Sequence, residues 1–586
     1  MIETNFVTVP VIEFKNYNFR YRTQIEPTLI NINLTVNKGE KILILGPSGS
    51  GKSTLIHCIN GIIPHSLNGE ISGELYLCGR KIKTLDIFEI SKIAGTVLQD
   101  TDGQFVGLSA AEDIAFAQEN DCVPADEMHR NAFEAARLVN MTAHLDKSPH
   151  DLSGGQKQRV SIAGVLVDNV EILLFDEPLA NLDPAAGKEA IELIDELHKK
   201  TGKTVLIIEH RLEDVLHRCV DKIVLMEKGQ IISCLKTQEL LSCGILKKAG
   251  IREPLYISAL KYSGFAVEPE MNPQHIDTLI CGFEPLIEWD RKNAEYEIEN
   301  DKMRMASALR ETALEVRNLR FRYSEKGGDV LKDISFCTEK GECAALVGRN
   351  GSGKSTLAKC ICGFVTPDHG TISYNGQDLS GHSIMQRAEK IGYVMQNPNQ
   401  MISFPMIFEE TAFGLKCRRF SEKETKQRVF EALNVCGLYQ FRNWPVNALS
   451  FGQKKRLTVA SILVLRPSFM ILDEPTAGQD FKAYTEFMEF LLGLSRDLGF
   501  SLLLITHDMH LMLEYTTRAI VLSEGECIAD KMPFEVLTND DIIEKASLKR
   551  TSLYDLALKG GLDDPQAFVD RFIKYDRRIR SGESIN

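Results

Sequence analysis

Two short stretches of this 586-residue chain combine glycine, lysine and serine in an order that suits phosphate chemistry. GPSGSGKST occupies residues 46–54 and GRNGSGKST occupies residues 348–356. The first follows the apolar run Lys41–Leu45, which predicts a strand, and precedes a predicted helix. In that setting glycines let backbone N–H groups converge on phosphate oxygens, and the helix N-terminus adds the positive end of its dipole. The two stretches therefore predict two nucleotide-phosphate sites.

Each loop carries a lysine and a serine with separate expected roles. Lys52 and Lys354 are placed to reach the β- and γ-phosphates, and the next residue, Ser53 or Ser355, supplies a hydroxyl for Mg²⁺. We expect every residue of both loops to take part in binding. They are Gly46, Pro47, Ser48, Gly49, Ser50, Gly51, Lys52, Ser53 and Thr54, and Gly348, Arg349, Asn350, Gly351, Ser352, Gly353, Lys354, Ser355 and Thr356.

An Asp-Glu pair follows a short apolar run at two places. Ile172–Phe175 precedes Asp176 and Glu177, and a second copy ends in Asp473 and Glu474. Such runs predict central parallel strands that are buried on both faces, and ligands bind at the carboxyl ends of such strands. We expect the aspartates to hold Mg²⁺ through water and the glutamates to orient the attacking water. A solvated turn would explain neither the preceding strand nor the second copy.

The motifs recur at a nearly constant spacing. Lys354 follows Lys52 by 302 residues, whereas the LSFGQ, DE and ITH motifs follow LSGGQ, DE and IEH by 297. Two homologous domains are therefore predicted, at 11–250 and 313–545. Residues 251–312 are interpreted as the tail of the first domain plus a linker. Residues 546–586 are interpreted as a C-terminal helical tail that contains an amphipathic helix from Pro565 to Arg577.

Composition limits the class of partner. The formal net charge is −13, and the sequence has no long block of lysine and arginine, which disfavours nucleic acid as a partner. An acidic surface suits the basic cytoplasmic loops of membrane proteins. No apolar run approaches the length of a membrane span, and no secretory signal is visible. The fourteen cysteines are scattered, so we expect reduced thiols.

The order of these motifs resembles that of the ABC ATPases. It consists of a Walker A loop, a glutamine after a strand, an LSGGQ signature, a Walker B strand and a histidine. The resemblance implies an α/β fold with two tandem P-loop NTPase domains, each with a mostly parallel core sheet, an antiparallel β subdomain and an α-helical signature subdomain. It also implies that the two domains pair within the molecule around two ATP molecules. Each site would use the Walker A loop of one domain and the signature of the other.

The resemblance gives roles to further residues. Gln99 and Gln396 would sense the γ-phosphate and Mg²⁺ and contact a membrane subunit, and His210 and His507 would bond the γ-phosphate. Tyr21 and Tyr323 would stack on adenine, and Asp183 and Asp480 would connect the two sites. The signature residues, whose Ser-x-x-Gln pattern also predicts a helix N-terminal capping box, are Ser153, Gly154, Gly155, Gln156, Ser450, Phe451, Gly452 and Gln453.

Repeat two has Phe451 where repeat one has Gly154. A bulky residue would be strained at positive φ, so this substitution predicts ordinary helical geometry at both positions. Both repeats keep the lysine, the aspartate and the glutamate, and we therefore expect both sites to hydrolyse ATP.

Several details are similar to ATPases of energy-coupling factor (ECF) importers, including the cobalt-importer type. They are the segment after Gln99 that ends in Gln104, the LSFGQKKR stretch, the EHR of 209–211 and the TAGQD of 476–480. The resemblance implies a transmembrane coupling subunit and a substrate-binding membrane protein as partners, a place at the cytoplasmic face of the membrane, and a cargo such as a thiamine precursor or cobalt.

Three alternatives stay open at this point. They are a twin ATPase acting on ribosomes or nucleic acid, a fused sugar-importer ATPase, and a regulatory module that binds nucleotide without turnover. The acidic charge disfavours the first, two complete motif sets disfavour the second, and the retained glutamates disfavour the third.

Overall fold

The computed structural model describes residues 10–99, 102–180, 182–304, 311–324 and 327–582, the side chains of 102 and 296–304 excepted. These residues form two compact units, one made of residues 10–282 with 480–482 and the other of residues 283–479 with 483–582. The division after residue 282 falls inside the predicted 251–312 segment. Residues 583–586 of the predicted tail lie outside the described residues.

The first unit contains two sheets. Its strands are β1 (Pro10–Tyr21), β2 (Leu29–Asn37), β3 (Lys41–Leu45), β4 (Gly69–Leu77), β5 (Arg80–Lys81), β6 (Ala94–Val97), β7 (Ile172–Asp176), β8 (Thr204–Ile208), β9 (Lys222–Glu227) and β10 (Gln230–Leu235). An antiparallel sheet has the order β2-β1-β4-β5, and a six-stranded sheet has the order β10-β9-β3-β8-β7-β6. In the six-stranded sheet only the pair β9–β10 is antiparallel.

Helices of the first unit connect these strands and form a separate helical subdomain. They are α1 (Lys52–Ile59), α2 (Ile62–His65), α3 (Ile87–Ser91), α4 (Ala110–Asn120), α5 (Ala125–Leu138), α6 (Gly154–Leu166), α7 (Pro184–Thr201), α8 (Leu212–Val215), α9 (Thr237–Ser242), α10 (Ile245–Lys248) and α11 (Leu255–Tyr262). Helices α4, α5 and α6 pack against one another as the helical subdomain, and α6 also contacts β6.

The second unit repeats this plan. It begins with α12 (Glu284–Arg304), and its strands are β11 (Thr312–Phe321), β12 (Leu331–Glu339), β13 (Cys343–Val347), β14 (His369–Tyr374), β15 (Gln377–Asp378), β16 (Ile391–Val394), β17 (Phe469–Asp473), β18 (Ser501–Ile505), β19 (Arg518–Ser523) and β20 (Glu526–Lys531). The sheet orders are β12-β11-β14-β15 and β16-β17-β18-β13-β19-β20.

The other helices of the second unit follow in the same sequence. They are α13 (Lys354–Cys362), α14 (Ile384–Arg387), α15 (Pro398–Met401), α16 (Ile407–Cys417), α17 (Glu422–Val435), α18 (Phe451–Leu463), α19 (Phe481–Leu498), α20 (Met509–Tyr515), α21 (Pro533–Leu537), α22 (Asp540–Ala546), α23 (Ser552–Gly560) and α24 (Pro565–Ser581). Helices α15 to α18 form the helical subdomain. The predicted amphipathic helix is confirmed as α24, which buries one apolar face and runs to Ser581.

Burial explains why the short apolar runs become central strands. All five residues of β3 and of β13 are buried, and so are the first four of β7 and of β17. A strand covered on both faces needs a continuous apolar run, whereas β1 and β2 alternate and belong to the antiparallel sheet. The predicted fold class is confirmed in both units.

Each unit continues past its last strand into a similar helical extension. Helices α9, α10 and α11 follow β10, and α21, α22 and α23 follow β20 in the same order. Residues 255–261 read LYISALK and residues 553–559 read LYDLALK. The repeated segment is therefore longer than the predicted domains, and the spacing of the Walker and signature motifs alone did not show it.

Three features of the chain bear on its chemistry. All fourteen cysteines are free thiols. Among the described helices, none is long and apolar enough to cross a membrane. No group of three or more His, Cys, Asp or Glu side chains among the described residues is arranged to hold a metal ion.

In the second unit, helix α12 is fixed to α24 by an aromatic cluster and a buried ion pair. Trp289 contacts the rings of Phe568, Phe572 and Tyr575 at centroid distances of 6.0, 6.2 and 5.0 Å. Beside it the Arg571 guanidinium donates two hydrogen bonds of 2.8 Å to the Asp290 carboxylate, and both side chains are at most 10% exposed.

We predict that Arg571→Met lowers the free energy of unfolding of the second unit by about 3 kcal/mol, because it leaves a buried carboxylate without its partner. The matched control is Arg291→Met, also on α12, whose ion pair with Asp563 is exposed. For this variant we expect the free energy of unfolding to change by at most about 0.5 kcal/mol. Urea titration followed by Trp289 fluorescence measures both, and equal shifts for the two variants would contradict the prediction.

Candidate functional site

In each unit the predicted phosphate loop joins a buried strand to a helix. The loop leaves β3 and enters α1 at Lys52, and in the second unit it leaves β13 and enters α13 at Lys354. Lys52 Nζ donates to the carbonyls of Gly46 and Pro47 at 2.8 and 3.0 Å, so the ammonium lies in the concave side of the loop. Lys354 makes the same two bonds, at 2.7 and 2.9 Å. Burial lowers the pKa of Lys52.

The first glycine of each loop runs against a neighbouring strand. A Cβ on Gly46 would lie 2.4 Å from the Met226 carbonyl oxygen, and one on Gly348, at φ +146°, would lie 2.0 Å from the Leu522 carbonyl oxygen. Glycine is therefore required by close approach at these positions. A bulkier residue would push the loop away from the sheet.

Two serines inside the loops match an anionic ligand. The hydroxyls of Ser50 and Ser352 are buried and have no hydrogen-bond partner among the described residues. Buried polar atoms in proteins are nearly always satisfied. Two equivalent unsatisfied hydroxyls, one in each phosphate loop, fit oxygen-rich phosphates as partners.

In the first unit the predicted acid, glutamine and histidine meet at the end of β7. Glu177 Oε1 lies 2.8 Å from His210 Nε2, and Glu177 Oε2 accepts a 2.7 Å hydrogen bond from Gln99 Nε2. Burial raises the pKa of Asp176 to about 6, and the charge of Glu177 adds to the effect. For Glu177 itself, burial is outweighed by the hydrogen bond and the charge of His210, which leave its pKa below the ordinary value.

The second unit assembles the corresponding residues with different secondary contacts. His507 Nδ1 lies 2.7 Å from Glu474 Oε1. Ser355 Oγ and Tyr393 Oη donate to Asp473 Oδ2 at 3.2 and 2.8 Å. Burial raises the pKa of Asp473. Gln396 is exposed, two residues beyond the end of β16.

Both glutamates adopt a backbone conformation that is uncommon outside glycine. Glu177 has φ +50° and Glu474 has φ +45°. Such left-handed conformations in non-glycine residues cost on the order of 1–3 kcal/mol and concentrate at functional sites. The same strain at the same position of both repeats indicates that the direction of this side chain matters more than local stability.

The two tyrosines proposed for adenine lie at the start of the phosphate-loop helices. Tyr21 Oη is 3.1 Å from Thr54 Oγ1, and Tyr323 Oη is 3.1 Å from Thr356 Oγ1. Each ring also packs edge-on against the phenylalanine two residues before it, Phe19 or Phe321. The tyrosines thus lie beside the phosphate loop of their own unit, and the Tyr323 side chain is exposed.

The signature residues begin α6 and α18, in the helical subdomains. Ser153 and Gln156 form a capping box, as do Ser450 and Gln453, which confirms both predicted caps. Phe451 is the first residue of α18, and neither it nor Gly154 has positive φ, so the predicted helical geometry is confirmed.

The remaining signature and connecting residues are placed as follows. Gly155 and Gly452 lie in the first turns of α6 and α18. Asp183 caps α7 by accepting from the Ala186 N–H at 2.9 Å. Asp480, which groups with the first unit, accepts from the Ser48 N–H at 2.6 Å.

Several contacts at the site were not assigned from the sequence. Tyr393 donates a hydrogen bond to Asp473, and the Glu209 carboxylate accepts one from the His210 N–H. At equivalent positions of the signature helices, Gln158 and Lys455 donate to the carbonyls of Pro178 and Pro475. Aligning the two repeats would have drawn attention to Gln158 and Lys455, because the first repeat has a neutral residue at the position where the second has a charged one.

Each unit has a mostly parallel sheet with a phosphate loop at its carboxyl edge and an antiparallel sheet. It also has a helical subdomain whose signature helix begins with a capping box and has glycine in its first turn. Together these features define an ABC-class P-loop domain. The protein family described as ABC transporter matches residues 29–180 and 331–477. A second family, described as ATP-binding cassette cobalt transporter, matches residues 243–321.

Relatives align over almost the whole chain. An ABC transporter ATP-binding protein of Clostridium perfringens is 55% identical over 97% of this chain and 99% of its own length. One from Vibrio parahaemolyticus is 51% identical over 98% of both chains. Among solved structures, cbiO1 from Clostridium perfringens, described as part of the ABC transporter complex cbiONQ, is 34% identical, with coverage of 40% of this chain and 94% of its own and a TM-score of 0.37.

The chain therefore belongs to the family of ABC transporter ATP-binding proteins. Proteins of this family are ATPases, and this chain is an ATPase with two ATP-binding domains.

We predict that Gly348→Ala destabilises the second unit by about 1–3 kcal/mol, because the added Cβ collides with the Leu522 carbonyl. Thermal unfolding measures the effect. The matched control is Gly493→Ala within α19, where an added Cβ meets no atom within 4 Å and the better helix propensity of alanine favours folding by up to about 1 kcal/mol. A Gly348→Ala protein that unfolds at the unaltered temperature would contradict the close approach.

Proposed function

We propose that the chain is the ATP-hydrolysing subunit that energises a membrane importer of the ECF type, with a vitamin or other micronutrient, such as a thiamine precursor or cobalt, as cargo. The observation that supports it most is that both units assemble a complete set of phosphate-loop lysine, acidic strand end and histidine. The match to a family described as a cobalt transporter supports the cargo class. The chain would work at the cytoplasmic face of the membrane.

The phosphate loops bind ATP through their backbone N–H groups, with Lys52 and Lys354 on the β- and γ-phosphates. The donor set beside them fits Mg²⁺, which prefers hard oxygen ligands. Ser355 Oγ and Asp473 Oδ2 lie 3.2 Å apart, and Ser53 bonds Asp176. The side-chain oxygens of Gln99 and Gln396 complete the set. When bound, the ion neutralises charge that develops on the transferred phosphoryl group.

Glu177 and Glu474 orient the attacking water. Each carboxylate is in hydrogen-bond contact with a histidine, His210 or His507. The same histidine contacts the γ-phosphate, so cleavage of that phosphate acts on the glutamate through one side chain. In the first unit Gln99 holds the other carboxylate oxygen. The hydrogen bond and the charge of His210 keep Glu177 ionised although it is largely buried, because together they lower its pKa.

We further propose that the two domains pair within the molecule, and that each ATP is bound by the phosphate loop of one domain and the signature helix of the other. The capped helix starts at Ser153 and Ser450 support this, because a helix N-terminus is a favourable place for the γ-phosphate. In this arrangement Asp183 and Asp480 connect the two sites.

Apolar side chains support a docking surface for a membrane subunit around each glutamine. Four positions are exposed and apolar in both repeats, 297 residues apart. They are Ile87, Phe88, Leu98 and Phe116 in the first unit and Ile384, Met385, Met395 and Phe413 in the second. They come from the elements before and after the glutamine segment. Exposed apolar patches of this kind mark interaction sites, and the expected occupants are the cytoplasmic helices of a transmembrane coupling subunit, itself joined to a substrate-binding membrane protein.

We predict that Glu177→Gln and Glu474→Gln each lower ATP turnover at their own site by about 10²–10⁴-fold, the usual contribution of a general base, while ATP binding is preserved. Single-turnover hydrolysis by each variant measures this. Glu526→Gln, on exposed β20, is the control. A variant that hydrolyses at the unaltered rate would remove that glutamate from the mechanism.

Coupling is tested by reconstituting the chain with its membrane subunits in vesicles. Lys52→Ala combined with Lys354→Ala should abolish ATP-driven accumulation of substrate, because both phosphate loops lose their cation. Uptake that persists in the double variant would contradict an energising role. Recovery of the chain with ribosomes instead of membranes would favour the twin ATPase that acts on ribosomes.

A further inference from the structure

A lysine of the signature helix of the second unit is buried against the segment that follows Glu474. Lys455 on α18 is 4% exposed, and its Nζ donates to the carbonyls of Pro475 and Ala477 at 2.7 and 3.1 Å. Those carbonyls belong to the segment 475–479, which runs from the catalytic Glu474 towards Asp480. One turn earlier on α18, the ring of Phe451 lies 5.2 Å from the same Nζ. Helix and segment are thus tied by one amine.

The first unit ties the equivalent stretch, residues 178–180, by different chemistry. Gln158 stands at the position of Lys455, and its amide donates to the Pro178 carbonyl at 2.7 Å. On the other side the buried Glu209 carboxylate accepts from the Leu179 N–H at 2.7 Å and from the His210 N–H at 3.0 Å. The second unit has Thr506 where the first has Glu209, and its hydroxyl lies 3.4 Å from Glu474 Oε2.

Packing alone does not require a lysine at position 455. A neutral glutamine fills the equivalent place in the first unit and is equally buried. Burying an ammonium without a carboxylate in contact is unfavourable unless its hydrogen bonds compensate. The lysine therefore has to be explained by what its two bonds hold in place, the segment that follows the catalytic glutamate.

We propose that Lys455 is a positioning residue for ATP hydrolysis, which fixes the segment 475–479, and through it Glu474, against the signature helix, whereas the first unit fixes its segment with Gln158 and Glu209. The inference rests on the role proposed above for Glu474. The segments that follow the two catalytic glutamates are thus held by different buried groups, an amine in the second unit and an amide with a carboxyl group in the first.

The charge of Lys455 makes this support sensitive to pH. Burial lowers the pKa of Lys455 to about 7, against the opposing effect of the Glu474 carboxylate. Lys455 is therefore mostly an ammonium below about pH 7 and mostly a neutral amine above it. Hydrogen bonds from a charged donor are roughly twice as strong as neutral ones, so the hold on the segment weakens as the pH rises through about 7.

The other charged groups around α18 are engaged elsewhere. Glu410 of α16 accepts from the N–H groups of Ser403 and Phe404, Glu431 of α17 pairs with Arg466, Arg428 of α17 pairs with Glu424, and Lys454 and Arg456 of α18 contact Asn399 and the ring of Phe490. Glu474 is the charged group that acts on Lys455.

The test is steady-state ATP hydrolysis between pH 6 and 8.5 by the full chain carrying Glu177→Gln, so that turnover reports the glutamate of the second unit, with the unfolding temperature measured in parallel. We expect Lys455→Met to lower kcat about tenfold with little change in KM, because two buried carbonyls lose their donor. Lys455→Gln, which copies the first unit, should recover most of that loss. With Lys455 in place, the Glu177→Gln chain should lose kcat as the pH rises through about 7, and the further change Lys455→Gln should remove that step.

Lys203→Gln is the matched control. Lys203 also bonds a backbone carbonyl, that of Val170, and burial lowers its pKa too, but it lies at the amino end of β8, away from the site. Its kcat and pH profile, measured in the same Glu177→Gln chain, should equal those of that chain with Lys203 in place.

Three results would overturn the inference. One is an unaltered kcat in Lys455→Met, and another is a pH step that persists in Lys455→Gln. The third is a loss of kcat that follows the unfolding temperature and that glutamine does not restore, which would make the lysine purely structural. A chain without any hydrolysis would overturn the proposed function and this inference with it.

Discussion

The candidate site depends on one hydrogen bond at the end of the parallel ladder in each unit. The Glu177 N–H donates to the Ile208 carbonyl at 3.0 Å, and the Glu474 N–H donates to the Ile505 carbonyl at 2.9 Å. The bond ties each glutamate to the neighbouring strand that leads to the histidine. It also holds the glutamate in its left-handed conformation. The rest of the sheet can be viewed as the support that keeps these two strand ends in register.

That register follows from burial. Strands β7 and β8 pair residue for residue, with Asp176 opposite Ile208, and their apolar residues are covered on both faces. A shift by one residue would carry the Asp176 carboxylate into the covered part of the sheet or leave an apolar residue in its place, and the cost of burying that group disfavours slippage. The Asp-Glu pair at the end of β7 is therefore positioned by a buried strand whose preceding residues, Leu173 to Phe175, are all apolar.

Much of this arrangement could be predicted from the amino-acid sequence, because the motifs are short, local and duplicated. The phosphate loops, the strands before the Asp-Glu pairs and the capping boxes depend on neighbouring residues, and the structure contains each of them. The helical geometry at Phe451 followed from the side chain alone. The contacts made by Tyr393 and Lys455 join residues 80 and 20 positions away, and no local pattern marks such pairs.

The equivalence of the two helical extensions was not predicted, for a related reason. Their signal is a faint similarity between LYISALK and LYDLALK, without glycine-rich loops or charged pairs to draw attention. Helices α11 and α23 are recognised as counterparts only when both are seen in the same order after the last strand. The roles proposed for the site residues, in contrast, concern the binding and hydrolysis of ATP, and the hydrolysis experiments test them.

The duplicated extension also records how the gene arose. If helices α9 to α11 have counterparts in α21 to α23, the ancestral single-domain protein already carried its C-terminal extension before a tandem duplication joined two copies. Helices α12 and α24 come next in order after α11 and α23, and they pack together in the second unit. Through that contact the helix that begins the joining segment is part of the folded second unit, so a change in α24 acts on the connection between the domains.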